Sequence, residues 1–369
     1  MNKRILNIAS YRYLPVNSGG QKYIHYFLEY LGSITDLYAV GTKDNDASKI
    51  ENYIYLPLLK KSRLRYIDIL IIGQIRKIIK DKKIETIIIT QPYIGWVGVI
   101  LKYLTGVNLV IHTLNIENER FRSLGKWWWW LLKIYETWIL KKADKIFCIS
   151  DDDKLWMSNK MDIDEGKCII IPYGITQNEY PKDKKISKEE VCVKHLLNPE
   201  YKLLFFNGLL NYSPNSNALR DILNKINPLL LKTGLKYNIL IAGKNLPAEF
   251  EDLKKWNNQH VFYAGFVNDI DQYTKAADVL LNPVNTGGGV KTKMIEALGL
   301  GATVIATENG AIGVDKSVCG EKLKVVGNDD WEGFVQQVII ATNEEKITPS
   351  EFYKKYTWSE IVITAAERI

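Results

Sequence analysis

The chain has 369 residues, 46% of them hydrophobic and 25% charged, which suits two folded domains and excludes a largely disordered chain. No uncharged apolar run reaches the roughly 18 residues of a membrane span, and the apolar part of residues 1–10 is too short for a signal peptide. The net charge of +7 is uneven: residues 1–150 carry 23 Lys and Arg against 12 Asp and Glu, whereas the remainder carries 26 against 30.

The basic half suits a phosphorylated substrate, anionic lipid or nucleic acid, although no nucleic-acid-binding module accompanies it and no nucleic-acid partner is expected. Four scattered cysteines, Cys148, Cys168, Cys192 and Cys319, lack CxxC spacing, which excludes a disulfide framework and a zinc ribbon. They fit a reducing compartment, so the expected location is cytoplasmic.

In chain order, residues 5–10 read as a strand and 20–31 as a helix with Tyr23, Phe27, Leu28 and Leu31 on one face. Strands are expected at 34–40, 84–90, 109–112 and 145–150, and helices at 67–80, 95–105 and 127–142. Asp151, Asp152 and Asp153 suit the capping of a short helix, 169–172 reads as a strand, and 177–199 is polar and rich in Lys and Glu. A second alternating series covers 202–208, 217–230, 237–242, 260–264, 270–276, 279–282, 291–298, 303–307 and 323–326, and 352–367 reads as a terminal helix. Strand–helix alternation implies two open parallel sheets, with a domain boundary near residues 172–185. Ligands of such sheets sit at strand carboxyl ends, so the layout predicts two domains facing a cleft that holds a large polar substrate.

Two glycine-bearing segments stand out. Gly19 and Gly20 open the first helix, where unpaired N–H groups suit a phosphate or a sugar hydroxyl. Later, a strand ends in Asn282-Pro283, followed by Gly287, Gly288 and Gly289, then Val290, Lys291, Thr292 and Lys293 at a helix start. Three adjacent glycines cost entropy on ordering, and backbone wrapped around a ligand gives a reason for them. Cations in a first helical turn oppose the macrodipole, a penalty that a bound diphosphate reverses. Glu296 lies on a face able to reach ribose hydroxyls. The spacing is neither a Walker loop nor a dinucleotide fingerprint.

Residues 265–313 resemble the donor half of GT-B-fold glycosyltransferases of the retaining family-4 type (glycosyl transferases group 1). The motif reads Gly265-Phe266-Val267, Ala277-Asp278, Asn282-Pro283, Gly287–Gly289, Glu296-Ala297 with Gly301, the strand 303–307, and Gly310-Ala311-Ile312-Gly313. Pro15 with Gly19-Gly20, Ala143-Asp144 with Ile149-Ser150, Pro172-Tyr173-Gly174-Ile175, Gly208 with Pro214-Asn215, and Tyr356-Thr357-Trp358 extend the resemblance over nearly the whole chain.

It implies an α/β fold of two Rossmann-like domains: an acceptor domain at 1–175, a donor domain at 176–350, and a C-terminal helix at 351–369 crossing back to the first. The implied activity is metal-independent, retaining transfer from a UDP- or GDP-hexose to a glycan or lipid-linked acceptor in cell-surface polysaccharide biosynthesis. Base and ribose would lie near Phe266, Pro283 and Glu296, and the diphosphate near 288–293 and Gly20, with Gly208 a further donor-binding residue. His112 and Glu117, after the strand at 109–112, would serve the transferred sugar or acceptor, with Lys291 stabilising the leaving group. No separate cofactor is implied.

Two departures matter. The first glutamate of the family's Glu-x7-Glu pair is Gly288 here, and residues 208–214 lack the usual cations, so Lys291 and Lys293 are expected to supply the charge. An inactive GT-B-like scaffold subunit and a non-hydrolysing sugar-nucleotide epimerase are the alternatives. Finally, Trp127-Trp128-Trp129-Trp130 between Lys126 and Lys133 suits contact with an anionic membrane surface.

Overall fold

The computed structural model describes residues 3–16, 18–287 and 289–369, and the chain divides into two units. The first comprises residues up to Gly174 together with Tyr356–Ile369; the second is Ile175–Lys355, running slightly past the expected end at 350.

Among the described residues the first unit holds seven parallel strands: β1 (Arg4–Ala9), β2 (Asp36–Thr42), β3 (Ile54–Leu59), β4 (Thr86–Thr90), β5 (Asn108–His112), β6 (Lys145–Cys148) and β7 (Cys168–Ile170). Their order is β3-β2-β1-β4-β5-β6-β7. The crossovers run outward from β1 and then return to β4, so the topological switch lies between β1 and β4. Every residue of β4 is buried, because a parallel sheet is covered on both faces. The helices are α1 (Gly19–Ile34), α2 (Leu70–Lys82), α3 (Gly95–Thr105), α4 (Glu117–Ser123), α5 (Trp129–Lys142) and α6 (Asp151–Met161). Ser150, rather than an aspartate, caps α6 by accepting from the Asp153 N–H at 3.2 Å, and the three aspartates form its first turn.

The second unit holds, among its described residues, β8 (Lys202–Asn207), β9 (Tyr237–Ala242), β10 (Val261–Gly265), β11 (Val279–Asn282), β12 (Thr303–Thr307) and β13 (Leu323–Val326). Their order β10-β9-β8-β11-β12-β13 repeats the first pattern, with the switch between β8 and β11. Its helices are α7 (Lys184–Lys194), α8 (Ser213–Asp221), α9 (Asn227–Leu230), α10 (Ile270–Ala276), α11 (Thr292–Gly299), α12 (Trp331–Asn343) and α13 (Ser350–Tyr356). The helix expected at 217–230 is α8 and α9 joined by a π-helical turn, Ile222–Ile226. Helix α7 lies in the segment read from sequence only as polar, and α12 lies where no element was expected.

The helix expected at 352–367 is divided at Thr357 into α13 and α14 (Trp358–Arg368). Helix α14 packs on α1 within the first unit. Trp358 stacks against Tyr26 with ring centroids 6.3 Å apart, and it occupies the space a side chain at Gly174 would need, a Cβ there lying 2.4 Å from the indole.

Candidate functional site

The switch point of the second unit gathers most of the candidate donor residues. At the end of β8, Gly208 has φ 157°, and a Cβ there would meet the Asn215 amide at 2.6 Å. After β9, Gly243 has φ 154°, and a Cβ would lie 2.0 Å from the Gly208 carbonyl oxygen. Glycine is therefore required at both strand ends. Across the switch, β11 ends in buried Asn282, and Pro283, also buried, follows it. Asn282 donates to the Gly310 carbonyl at 3.1 Å, tying the loop after β11 to the loop after β12.

The glycine loop between them is held by side chains at both ends. Asn309 Nδ2 donates to the carbonyls of Val284 (3.3 Å) and Gly287 (3.4 Å), and Thr307 Oγ1 donates to Val284 at 2.8 Å. Gly287 (φ 86°) and Gly289 (φ 75°) are left-handed, and Gly288 lies outside the described residues. Val290 packs against Gly313, where a Cβ would come within 2.3 Å of its Cγ2.

Lys291 is the N-cap residue of α11 and Thr292 opens the helix. The Lys291 ammonium donates to the carbonyls of Gly287 at 3.0 Å and Gly289 at 2.8 Å, clasping the loop. Lys293 Nζ lies 3.3 Å from the Asn207 carbonyl and 4.5 Å from the Phe206 ring centroid, beneath the end of β8. Burial pushes the Lys291 ammonium down to about 8; burial and then the charge of Lys291 push Lys293 down to about 7. Two cations thus sit where desolvation disfavours their charge, an arrangement that an anion relieves. Glu296 is half-buried on α11. Phe266, after β10, is 59% exposed, with the Lys244 ammonium 3.9 Å over its ring.

The first unit holds His112 and Glu117 at strand carboxyl ends but does not pair them with each other. His112 closes β5 and is 1% exposed. Its Nε2 shares a hydrogen bond with the Tyr23 hydroxyl at 2.9 Å, and Tyr23 donates to the Ile171 carbonyl at 2.7 Å. Tyr23, Phe27 and Phe147 meet the imidazole edge-on, and burial lowers its pKa to about 3, so the ring stays neutral. Among the described residues, its Nδ1 has no hydrogen-bond partner.

Glu117 is fully buried at the start of α4. Its carboxylate accepts from Gln91 Nε2 at 3.1 Å, from Arg120 Nη1 at 3.0 Å and from the Tyr93 hydroxyl. Gln91 follows β4 at φ 68° and ψ 142°, a costly conformation for a non-glycine residue. Behind this cluster, Glu136 of α5 accepts from the backbone N–H of Glu117 (3.2 Å) and from the backbone (3.0 Å) and side-chain (2.7 Å) amides of Asn118. Burial raises Glu136 to about 7.

At the head of α1, Ser18 Oγ accepts from the Gln21 N–H at 3.4 Å. Neither Gly19 nor Gly20 has positive φ, and the nearest atom to a Cβ on Gly20 would be the Tyr11 hydroxyl at an ordinary 3.8 Å. Packing therefore does not demand a glycine at position 20. Gln91, Tyr93, Glu136 and Asn309 escaped the sequence reading; the Asn-Gly-Ala-Ile-Gly run starting at Asn309 was the one available signal among them.

Two open parallel sheets, each with polar side chains gathered at strand carboxyl ends, define a GT-B-type protein. Residues 17–179 match the model described as Glycosyltransferase Family 4, and residues 201–343 match Glycosyl transferases group 1. The chain belongs to the family-4-like, group 1 glycosyltransferases.

A relative in Escherichia coli, UDP-Gal:alpha-D-GlcNAc-diphosphoundecaprenol alpha-1,3-galactosyltransferase, is 22% identical over 327 residues, covering 82% of this chain and 79% of that protein. Among solved structures, a glycosyltransferase from Rickettsia africae superposes with a TM-score of 0.73 at 14% identity, covering 100% of this chain and 98% of the other. Anabaena HepE in complex with UDP gives 0.70 at 13% identity, covering 99% and 98%.

Proposed function

We propose that this chain is a retaining, metal-independent glycosyltransferase that moves a hexose from a UDP- or GDP-hexose to a glycan or lipid-linked acceptor in cell-surface polysaccharide assembly. The observation that carries the reading is the Lys291–Lys293 pair: two ammonium groups with lowered pKa, at a left-handed glycine loop, beside the switch point of the donor unit. A diphosphate there restores their charge and becomes the stabilised leaving group. Phe266 offers an exposed ring to the base, and Glu296 a carboxylate to the ribose.

In the first unit, His112 is a neutral, buried ring that acts as a positioning group at the strand end, through its contact with Tyr23, rather than as a titrating acid or base. Glu117, held by Gln91, Tyr93 and Arg120, serves as a positioned polar group for the acceptor side. In the retaining route that the family likeness supports, the sugar C1–O bond to the diphosphate breaks as the acceptor oxygen attacks the same face. The acceptor proton passes to the departing phosphate oxygen. The Escherichia coli relative, named for a UDP-linked donor and a diphosphoundecaprenol acceptor, supports both the donor class and a lipid-linked acceptor. The buried thiols of the four cysteines go with a cytoplasmic location.

Calorimetric titration with UDP and GDP, together with NMR of products from a panel of nucleotide sugars, tests the reading. The expected result is binding of one nucleoside diphosphate and slow release of free sugar with its anomeric configuration kept. Lys291→Ala and Lys293→Ala should each weaken binding about tenfold, as loss of a charge-assisted contact does. Interconversion of nucleotide sugars, or tight binding without turnover, would contradict the transferase assignment.

A further inference from the structure

Helix α5 is apolar on nearly every side, a composition that ordinarily means burial all round. Its inner face conforms: Ile139 and Leu140 enter the core, and Glu136 is buried against α4. Its outer face does not. Trp127, just ahead of the helix, is 76% exposed, and Trp130, Leu131, Ile134 and Trp138 follow, all exposed, at the three- and four-residue spacing that aligns one side of a helix. Within the helix the stripe, from Trp130 to Trp138, is roughly 12 Å long at 1.5 Å per residue.

A second exposed apolar segment, Leu64, Ile67, Ile69 and Leu70, adjoins the same region. Trp96 links the two: its indole N–H donates to the Tyr66 carbonyl at 2.9 Å, and its backbone N–H donates to the Tyr135 hydroxyl of α5 at 3.3 Å. Exposed Lys61, Arg63 and Lys126 flank these segments. The one carboxylate of α5, Glu136, faces inward, so the outer face of that helix shows no negative charge.

We propose that this face docks in the plane of a bilayer whose surface carries anionic phosphate headgroups. Indole rings, apolar in body with a single N–H donor, suit the boundary between headgroup and acyl chain. The flanking cations complement phosphate, and each adds to the attraction at low salt. Among the described residues no helix is long and apolar enough to cross a membrane, so the contact lies along the surface. A second copy of the chain is a poorer occupant, because a two-fold contact would bring the Lys126 side chains of both copies to one interface. Because the inner side of α5 anchors the Glu117 cluster through Glu136, docking would hold that cluster close to a lipid-borne acceptor. The docking itself does not depend on sugar transfer and is read without it.

The test is sedimentation of the full chain with vesicles of phosphatidylcholine alone and of phosphatidylcholine mixed with phosphatidylglycerol, with tryptophan emission followed in parallel. Binding to the mixed vesicles, weakened by salt and accompanied by a blue shift, is expected. The variant carrying Trp127→Ser, Trp130→Ser and Ile134→Ser replaces exposed or half-exposed groups and should keep its far-ultraviolet circular dichroism while losing at least about tenfold in vesicle affinity. Lys126→Glu with Arg63→Glu should abolish the preference for anionic lipid. Absence of binding to mixed vesicles, or equal binding by the triple-serine variant, overturns the proposal. So does a lipid-free dimer that the triple-serine variant converts to monomer, which would assign the face to a second copy.

Discussion

Lys291 and Lys293 carry an electrostatic debt in the ligand-free chain. Their folded pKa values, about 8 and about 7, lie below the ordinary 10.5 because burial penalises the ammonium form. Between about pH 7 and pH 10.5 the unfolded chain binds more protons at these groups, so their contribution to stability rises with pH and is lost as pH falls through the folded values. A bound diphosphate reverses the preference by favouring the charged form. Binding at pH 8 should therefore take up on the order of one proton, measurable by calorimetry in two buffers of different ionisation enthalpy. Affinity should fall above that pH. Glu136 has the opposite sign: its pKa, raised to about 7, gives stability that is present below its unfolded value of about 4.5 and fades as pH rises through 7. Glu136→Ala should cost about 1–3 kcal/mol in urea unfolding, because it strands the amides of Glu117 and Asn118.

Among elements, the buried strands were the most legible. Runs such as Thr-Ile-Ile-Ile-Thr in β4 read as strand because both faces are covered. Strand β3 was missed because it lies at the sheet edge, half exposed, with Pro57 inside it. Helix α7 escaped because it buries only Ser187, Val191 and Cys192, too few for an apolar stripe. The glycine loop announced itself through three adjacent glycines, whereas the clasp on Glu117 joins Gln91 and Tyr93 to a residue more than twenty positions away, and no local pattern encodes that contact. The approach of β8 to β9 gives a sharp element-scale prediction. Gly243→Ala places a methyl 2.0 Å from the Gly208 carbonyl, and since backbone cannot yield cheaply there, it should cost on the order of 2–4 kcal/mol and lower nucleotide affinity with it. Thermal unfolding with and without UDP separates the two effects.

For the whole molecule, the alternation of strands and helices was enough to give two parallel-sheet units, and the charge asymmetry divides along nearly the same line. The basic first half carries the exposed tryptophan face, and the mildly acidic second half keeps two of its cations at the glycine loop. The return of α14 to α1 came from the resemblance, since an amphipathic terminal helix does not by itself say which unit it covers. The pyrophosphate of a nucleotide sugar is proposed to lie at the loop formed by residues 287–293. A crystal structure of the chain soaked with UDP or GDP tests this most directly. The phosphates should lie within hydrogen-bond reach of Lys291 or Lys293 and the loop backbone; a nucleotide bound elsewhere, with both ammonium groups still on their carbonyl partners, would contradict it.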